Sequence, residues 1–177
     1  MQPELYTCSL DPDTRTSLKM YLFENVQNVS EIRNNIMKGI WNCAVIKPSL
    51  ILDPFQVAVA ANKAVVSGKY NSMVTRTVFA EILYNLSLTK NISQSLSKFG
   101  IETDQDLLIC FVVTAEKDDS KEILPQIEGK QRPINELGKF TNLKEIKSVY
   151  KLNNLKSDEN LLDVIVSRMV TKNFVSH

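Results

Sequence analysis

The sequence predicts an α+β (mixed) fold: a small, partly antiparallel sheet with an N-terminal hairpin and a buried central strand, wrapped by several helices. Three observations carry that expectation. Residues 1–23 alternate apolar and polar side chains on either side of turn chemistry. A continuous apolar run from Leu107 to Val113 is rich in β-formers. Segments elsewhere repeat apolar residues at helical spacing behind residues suited to N-caps. The regular strand–helix alternation of a doubly wound sheet is missing. A chain of 177 residues, 44% hydrophobic and 23% charged, suits a single domain over 1–177 with a core that needs no disulfides.

The elements follow in order. Tyr6, Cys8 and Leu10 alternate with polar neighbours, Asp11-Pro12-Asp13 turns the chain, and Leu18, Met20 and Leu22 alternate again, which reads as a hairpin. Ser30 as N-cap, Ile32 and Ile36 four apart, and Gly39 as a stop predict a short helix. From Trp41 to Leu52 strand and buried loop stay open, because Pro48 interrupts an apolar run. Asp53 then caps a helix with Pro54 at its first position, running from Phe55 to about Ser67 and leaving at Gly68. Apolar residues cover most of its circumference and leave one stripe, Gln56, Ala60, Lys63 and Ser67.

A second helix is predicted from Met73 to Leu86, with Val74, Val78, Ile82 and Leu86 as its core ridge, widened by Phe79 and Leu83. Its other side carries Met73, Thr77, Ala80 and Tyr84, a contact surface if exposed and ordinary core if covered. Asn91 and Gln94 resemble a capping box before Ile92, Leu96 and Phe99, and Gly100 stops that helix. Leu107 to Val113 reads as a central strand buried on both faces. Glu116 to Lys121 is a charged, solvated loop, and Ser120 to Glu128 is helical but disturbed by Pro125. Asn142 with Glu145 caps a helix bearing Leu143, Ile146, Val149 and Tyr150; Ser157 and Asp158 open a last one bearing Leu161, Leu162, Ile165 and Met169. No internal repeat is visible.

Composition excludes more than it assigns. The charge is balanced, 21 Lys+Arg against 20 Asp+Glu for a net +1, so nucleic-acid affinity would need a local basic patch. No apolar run approaches the ~20 residues of a membrane helix, and the N-terminus does not read as a secretory signal. Three cysteines, Cys8, Cys43 and Cys110, make an odd count that suits reduced, buried thiols. The single histidine is His177, which removes Ser-His-Asp triads, Cys-His pairs and histidine zinc sites. There is no CxxC, no Walker A sequence and no GxGxxG. Asp118-Asp119 reads as solvated loop rather than metal site, and Asp53 as a cap rather than a catalytic carboxylate. An enzyme would have to work without histidine, on carboxylates such as Glu81 or Asp163. Trp41 is the expected core aromatic rather than a base-stacking one. Lys63 and Arg76, near the facing ends of the two best helices, could grip a phosphate or be plain solvated cations.

The run Leu52-Asp53-Pro54-Phe55-Gln56-Val57-Ala58-Val59-Ala60-Ala61-Asn62-Lys63-Ala64-Val65 resembles the signature segment of the PRPK-binding protein family, the small regulatory subunit of the KEOPS (EKC) complex. Three further segments agree in order: Thr75-Arg76-Thr77 leading into Glu81-Ile82-Leu83-Tyr84-Asn85-Leu86-Ser87; Asn91-Ile92-Ser93 through Lys98-Phe99-Gly100-Ile101; and Tyr150-Lys151-Leu152 followed by Leu161-Leu162-Asp163 and Arg168-Met169. The resemblance implies a protein without catalysis, cofactor or metal that binds a PRPK-type atypical kinase on its N-terminal lobe and meets the other KEOPS subunits through it. That assembly makes threonylcarbamoyl adenosine (t6A) in tRNAs reading ANN codons, and in archaeal relatives this subunit also grips the single-stranded 3′ CCA end. Cytoplasm and nucleus are the expected locations, in keeping with the reduced thiols, with no membrane. Asn62, Lys63 and Arg76 lie in matched segments and are the candidate tRNA contacts, weak alone given the balanced charge. Met73, Thr77, Ala80 and Tyr84 are the candidate kinase contacts, on helix geometry alone. A protein-only scaffold without RNA contact, and a weak homodimer that the kinase displaces, are the other readings.

Overall fold

Strand β2 (Ser17–Glu24) organises the sheet of the computed structural model, which describes residues 4–177. Along one edge β2 pairs antiparallel with β4 (Leu107–Val113), from Ser17 opposite Val113 to Phe23 opposite Leu107. Its other edge is shared by β1 (Tyr6–Ser9), opposite Ser17 to Met20, and β5 (Lys130–Arg132), opposite Leu22 to Glu24. Beyond β4 lies β3 (Ala44–Ile46), also antiparallel. The N-terminal hairpin stands as the alternation predicts, its turn a single 3-10 turn at Pro12–Thr14 closed by Arg15 in the left-handed region. The first three of its expected residues lie outside the described residues. The ambiguous Trp41–Leu52 stretch resolves into β3 and a 3-10 turn at Pro48–Leu50, and Trp41 is buried in the core.

The two-residue period of β2, β3 and β4 divides the core in two. Leu18, Met20, Leu22, Ala44, Ile46, Leu108 and Cys110 face one layer of helices, with Ile82, Phe99, Ile146 and Ile165. Tyr21, Phe23, Val45, Ile109 and Phe111 face the other, with Ile32, Trp41 and Ile123. The larger layer holds α2 (Pro54–Lys69), α3 (Val78–Leu86), α4 (Ile92–Phe99), α6 (Leu143–Val149) and α7 (Leu161–Thr171); the smaller holds α1 (Val29–Met37) and the short α5 (Ser120–Ile123). β4, apolar without interruption, is therefore covered on both faces as its sequence requires. No helix among the described residues is long and apolar enough to cross a membrane.

Several helix ends depart from expectation, each for a local reason. α1 begins at Val29 rather than behind Ser30, because Asn28 leaves the chain there, its side chain accepting from the Glu128 amide (2.9 Å) and donating to the Gln126 carbonyl (2.8 Å). Gly39 does end α1, at φ +72. α2 runs through Gly68 to Lys69. Gly100 ends α4 by close approach rather than by left-handed geometry: a Cβ there would lie 2.5 Å from the Leu96 carbonyl oxygen. α7 starts at Leu161 behind Asn160, whereas Ser157 and Asp158 stay in the preceding loop, Asp158 paired with Lys147. Pro125 cuts the predicted 120–128 helix to α5 and a 3-10 turn. The 116–121 loop is less free than its charge suggests, since Asp118 accepts from Lys19 Nζ at 2.5 Å and from the Ser120 hydroxyl. Partial burial pushes this carboxyl up, but the Lys19 and Ser120 hydrogen bonds outweigh it and hold it down at about 2.

Candidate functional site

The segment between α2 and α3 decides what surface the protein presents. Met73 to Thr77 is a loop, not the start of a helix. Glu81 is the reason. Its carboxylate is almost fully buried, at 2% exposure, and turns back to accept from the Val74 amide (2.9 Å), the Thr75 amide (3.3 Å) and the Thr75 hydroxyl (3.3 Å). Thr77 then caps α3, its hydroxyl accepting from the Ala80 amide at 3.1 Å. Glu81 thus anchors a loop and cannot serve as a free carboxylate, while Asp163 lies exposed in the first turn of α7.

This breaks up the stripe of Met73, Thr77, Ala80 and Tyr84. Met73 is half-buried in the loop against the end of α2 near Gly68, and Tyr84, at 4% exposure, lies inside. Val74, expected in the core ridge, is 52% exposed because it precedes the helix. Thr77 and Ala80 remain together. They line a groove of about 330 Å³ between α1, β3, α3 and α4, with Ile36, Met37, Leu83 and Leu96 as apolar walls. Met37 and, just beyond α1, Ile40 stand 79% and 63% exposed.

The tRNA candidates also separate. Asn62 and Lys63 line a second groove, of about 790 Å³, between the hairpin and α2, with Tyr6, Phe55 and Val170. Arg76 sits exposed on the 73–77 loop and does not line that groove. The stripe that the apolar residues of α2 leave over is turned inward at its N-terminal half: Gln56 is fully buried, its Oε1 accepting from the Leu52 amide (2.9 Å) and its Nε2 donating to the Leu50 carbonyl (3.2 Å) and the Tyr150 hydroxyl (2.8 Å). Ala60 is buried with it, and Phe55 takes the exposed side.

Lys63 is half-buried with no ion pair among the described residues. Burial lowers its pKa, and Glu81 only partly restores it. Next to it lies Lys172, which sequence reasoning missed. Its ammonium is buried, donating to the carbonyls of Tyr84, Ser87 (2.9 Å) and Thr89 (3.2 Å) and covering the Tyr84 ring. Burial, with Lys63 as a like-charged neighbour, lowers it to about 8. The signal was present: Leu161, Ile165, Met169 and Lys172 continue one helical ridge, so a core-facing lysine was to be expected. Phe55, by contrast, gives no such signal, because an apolar residue in a mostly apolar helix reads as core.

Comparison with known proteins follows this geometry. Residues 23–173 match the family described as kinase binding protein CGI-121. The chain is similar to the EKC/KEOPS complex subunit TPRKB of Danio rerio, 36% identical over 155 residues that cover 85% of this chain and 88% of that one. It is also similar to the EKC/KEOPS complex subunits CGI121 of Yarrowia lipolytica, 30% identical over 80% of this chain and 83% of the relative, and of Candida glabrata, 27% identical over 90% and 91%.

Proposed function

Because the chain belongs to the CGI-121 family of kinase-binding proteins, we propose that it is the kinase-docking subunit of an EKC/KEOPS complex, without an active site of its own. In this reading it supports threonylcarbamoyl adenosine formation on tRNAs that read ANN codons and holds the tRNA 3′ end. The cytoplasm and nucleus are the locations that go with that role.

The observation behind the docking half is the apolar groove lined by Thr77 and Ala80 and flanked by Met37 and Ile40. Both faces of the sheet are already covered, so this groove is not a gap left by a missing layer of the fold. Its size admits one or two apolar side chains of a partner element, the usual form of a binding anchor. A subunit seated there regulates the kinase by binding one of its arrangements more tightly than others. The RNA half is supported by Lys63, which has no ion pair among the described residues and lies beside Lys172, two positive charges against the one nearby carboxylate of Glu81. One or two phosphate contacts give weak binding alone, strengthened when other subunits hold the same tRNA.

Co-expression with a PRPK-type kinase, followed by light scattering on size exclusion with and without tRNA, tests the reading. A one-to-one complex whose ATPase activity responds to tRNA is the expected result. Two separate peaks at micromolar concentration would overturn it.

A further inference from the structure

Strand β1 is an open edge of the sheet, and half of its backbone is unanswered. The Leu10 amide donates to the Thr16 carbonyl at 3.0 Å, and Tyr6 and Cys8 stand opposite Met20 and Leu18, so these even-numbered residues exchange the ladder bonds with β2. The amides and carbonyls of Thr7 and Ser9 therefore point away from β2, where they have no partner among the described residues. Asp11 is next in that outward row, and its amide is closed off by Asn62 Oδ1 of α2 at 2.7 Å. Edges that stay unpaired are commonly blunted by charge, proline or a bulge. The stretch Tyr6-Thr7-Cys8-Ser9 has none of these.

Helix α2 runs alongside this edge and turns a surplus face toward it. Phe55, Val59, Asn62 and Val66 follow at i, i+4, i+7 and i+11, one helical stripe, and all four line the groove of about 790 Å³ that β1 closes from the other side. None of them is buried, because Val57, Ala61 and Ala64 take the core side of the helix. Lys63, the cation of the groove, has no carboxylate partner among the described residues, and nearby Glu81 is held by Val74 and Thr75. Asp11, the acid of the lining, turns its carboxylate to the Asp13 amide at 2.9 Å. Backbone groups two residues apart on a strand repeat every ~6.8 Å. Another extended backbone answers such a row of alternating donors and acceptors; bases and phosphates do not.

We propose that an extended peptide segment of a protein partner adds to β1 as a further strand, lying between the Thr7–Ser9 edge and α2. Its alternate apolar side chains rest on Phe55, Val59 and Val66, and an acidic side chain meets Lys63. The free main-chain groups of Thr7 and Ser9 supply affinity, while the stripe and the cation select side chains. A second copy of this chain is a poorer occupant, since its own Tyr6–Ser9 strand has no carboxylate to offer Lys63. The proposal goes beyond the kinase and tRNA roles above and depends on neither.

The probes are fluorescein-labelled octapeptides in which Val alternates with Thr, with and without Asp in place of one Thr, titrated against the full chain by fluorescence anisotropy. At least one Asp-bearing peptide should bind with a Kd below about 100 μM. Methylating its backbone amides one at a time should weaken binding about fivefold or more at every second residue and little at those between, the signature of strand addition. That scan uses the wild-type protein, so it stands whatever a substitution does to the fold. Ser9→Pro removes one outward amide and spares the β2 ladder, so it should keep wild-type circular dichroism and weaken the peptide about fivefold. Lys63→Gln should abolish the preference for Asp over Thr. If no peptide of the set binds, or if the losses along its backbone do not alternate, strand addition is wrong. If the peptides fail while a single-stranded RNA heptamer binds and Val59→Asp weakens it, the groove belongs to RNA and the proposal is overturned. It is overturned equally if light scattering shows wild-type dimers that Ser9→Pro dissociates, since the edge then pairs copies of this chain.

Discussion

The Lys172 ammonium lies 3.5 Å from the centroid of the Tyr84 ring, and both residues are buried at the C-terminal end of α3. The carbonyls of Tyr84 and Ser87 at that helix end would otherwise be unpartnered, and a cation is what the negative end of a helix dipole favours. The same contact ties α7 to α3. No carboxylate pairs with Lys172 among the described residues, so the charge is carried by carbonyl dipoles and a π face.

Lys172→Met should therefore cost about 1–3 kcal/mol, since it strands buried carbonyls while keeping most of the volume. The cost should grow with pH. The folded chain releases the Lys172 proton at about 8, the unfolded chain near the ordinary 10.5. Between those values the unfolded state binds more protons, so the wild type gains stability as pH rises, by at most about 1.4 kcal/mol per unit. Lys172→Met has no such gain. Urea unfolding of both proteins at pH 7 and pH 9.5 checks this; the gap between them should widen at the higher pH, and a narrowing gap refutes the assignment.

Glu81 offers a second check because it acts at a distance from its own helix position. Replacing it by Ala removes the acceptor for the Val74 and Thr75 amides and frees the loop that carries Arg76. Hydrogen bonds to a charged group contribute about 1.5–3 kcal/mol, so local opening should rise at least about tenfold. Limited trypsinolysis reads it directly, as faster cleavage after Arg76 with other sites unchanged. If cleavage there keeps its wild-type rate, the loop is held by something else.

What the sequence showed and what it hid divide along physical lines. β4 was legible because a strand buried on both faces needs an unbroken apolar run, and Leu107–Val113 is one. The caps at Asp53, Asn91 and Asn142 were legible because each needs only a short side chain and a nearby amide, and all three accept as expected. The start of α3 was not. Met73 and Val74 continue the helical pattern, and only Glu81, seven residues on from Val74, captures their backbone and makes Thr77 the cap. The inward turn of α2 was hidden for the same reason: Gln56 looks solvated until Tyr150, 94 residues away, gives its amide a buried partner. Polar residues satisfied by distant partners carry no local signal, and here they decide which face is free. Phe55 was displaced to the surface by that choice.

The apolar groove of Thr77 and Ala80 gives a test of kinase docking that does not endanger the fold. Met37, 79% exposed, contributes little burial, and Ala80 is only partly covered. Met37→Asp with Ala80→Arg places two charges where a partner's apolar surface would be desolvated, which should remove at least about 2 kcal/mol of binding. The double variant should keep wild-type circular dichroism and fail to co-elute with the kinase. Stoichiometric co-elution would move the docking face elsewhere on the protein.

Tyr150 carries the last prediction, since its hydroxyl ties the end of α3 to the start of α2 within the larger core layer and its ring packs against Phe99 of α4. Just beyond α6, it is fully buried, donates to the Leu86 carbonyl at 2.6 Å, accepts from Gln56 Nε2 at 2.8 Å, and sets its ring 6.1 Å from that of Phe99. Tyr150→Phe removes one oxygen and leaves both the end of α3 and the Gln56 amide short of a partner, so the expected loss is about 1–3 kcal/mol. Gln56→Leu should cost a similar amount, because the Leu52 amide and the Tyr150 hydroxyl lose their contacts with it. The two losses should not add. Once Tyr150 is Phe, the Gln56 amide already lacks one acceptor, and removing it relieves a cost that the first substitution created. Denaturant unfolding of the two single variants and the double one should give a coupling of about 0.5–3 kcal/mol, with the double variant more stable than the sum predicts. Simple additivity would mean that the two side chains stabilise the core independently, against the network geometry.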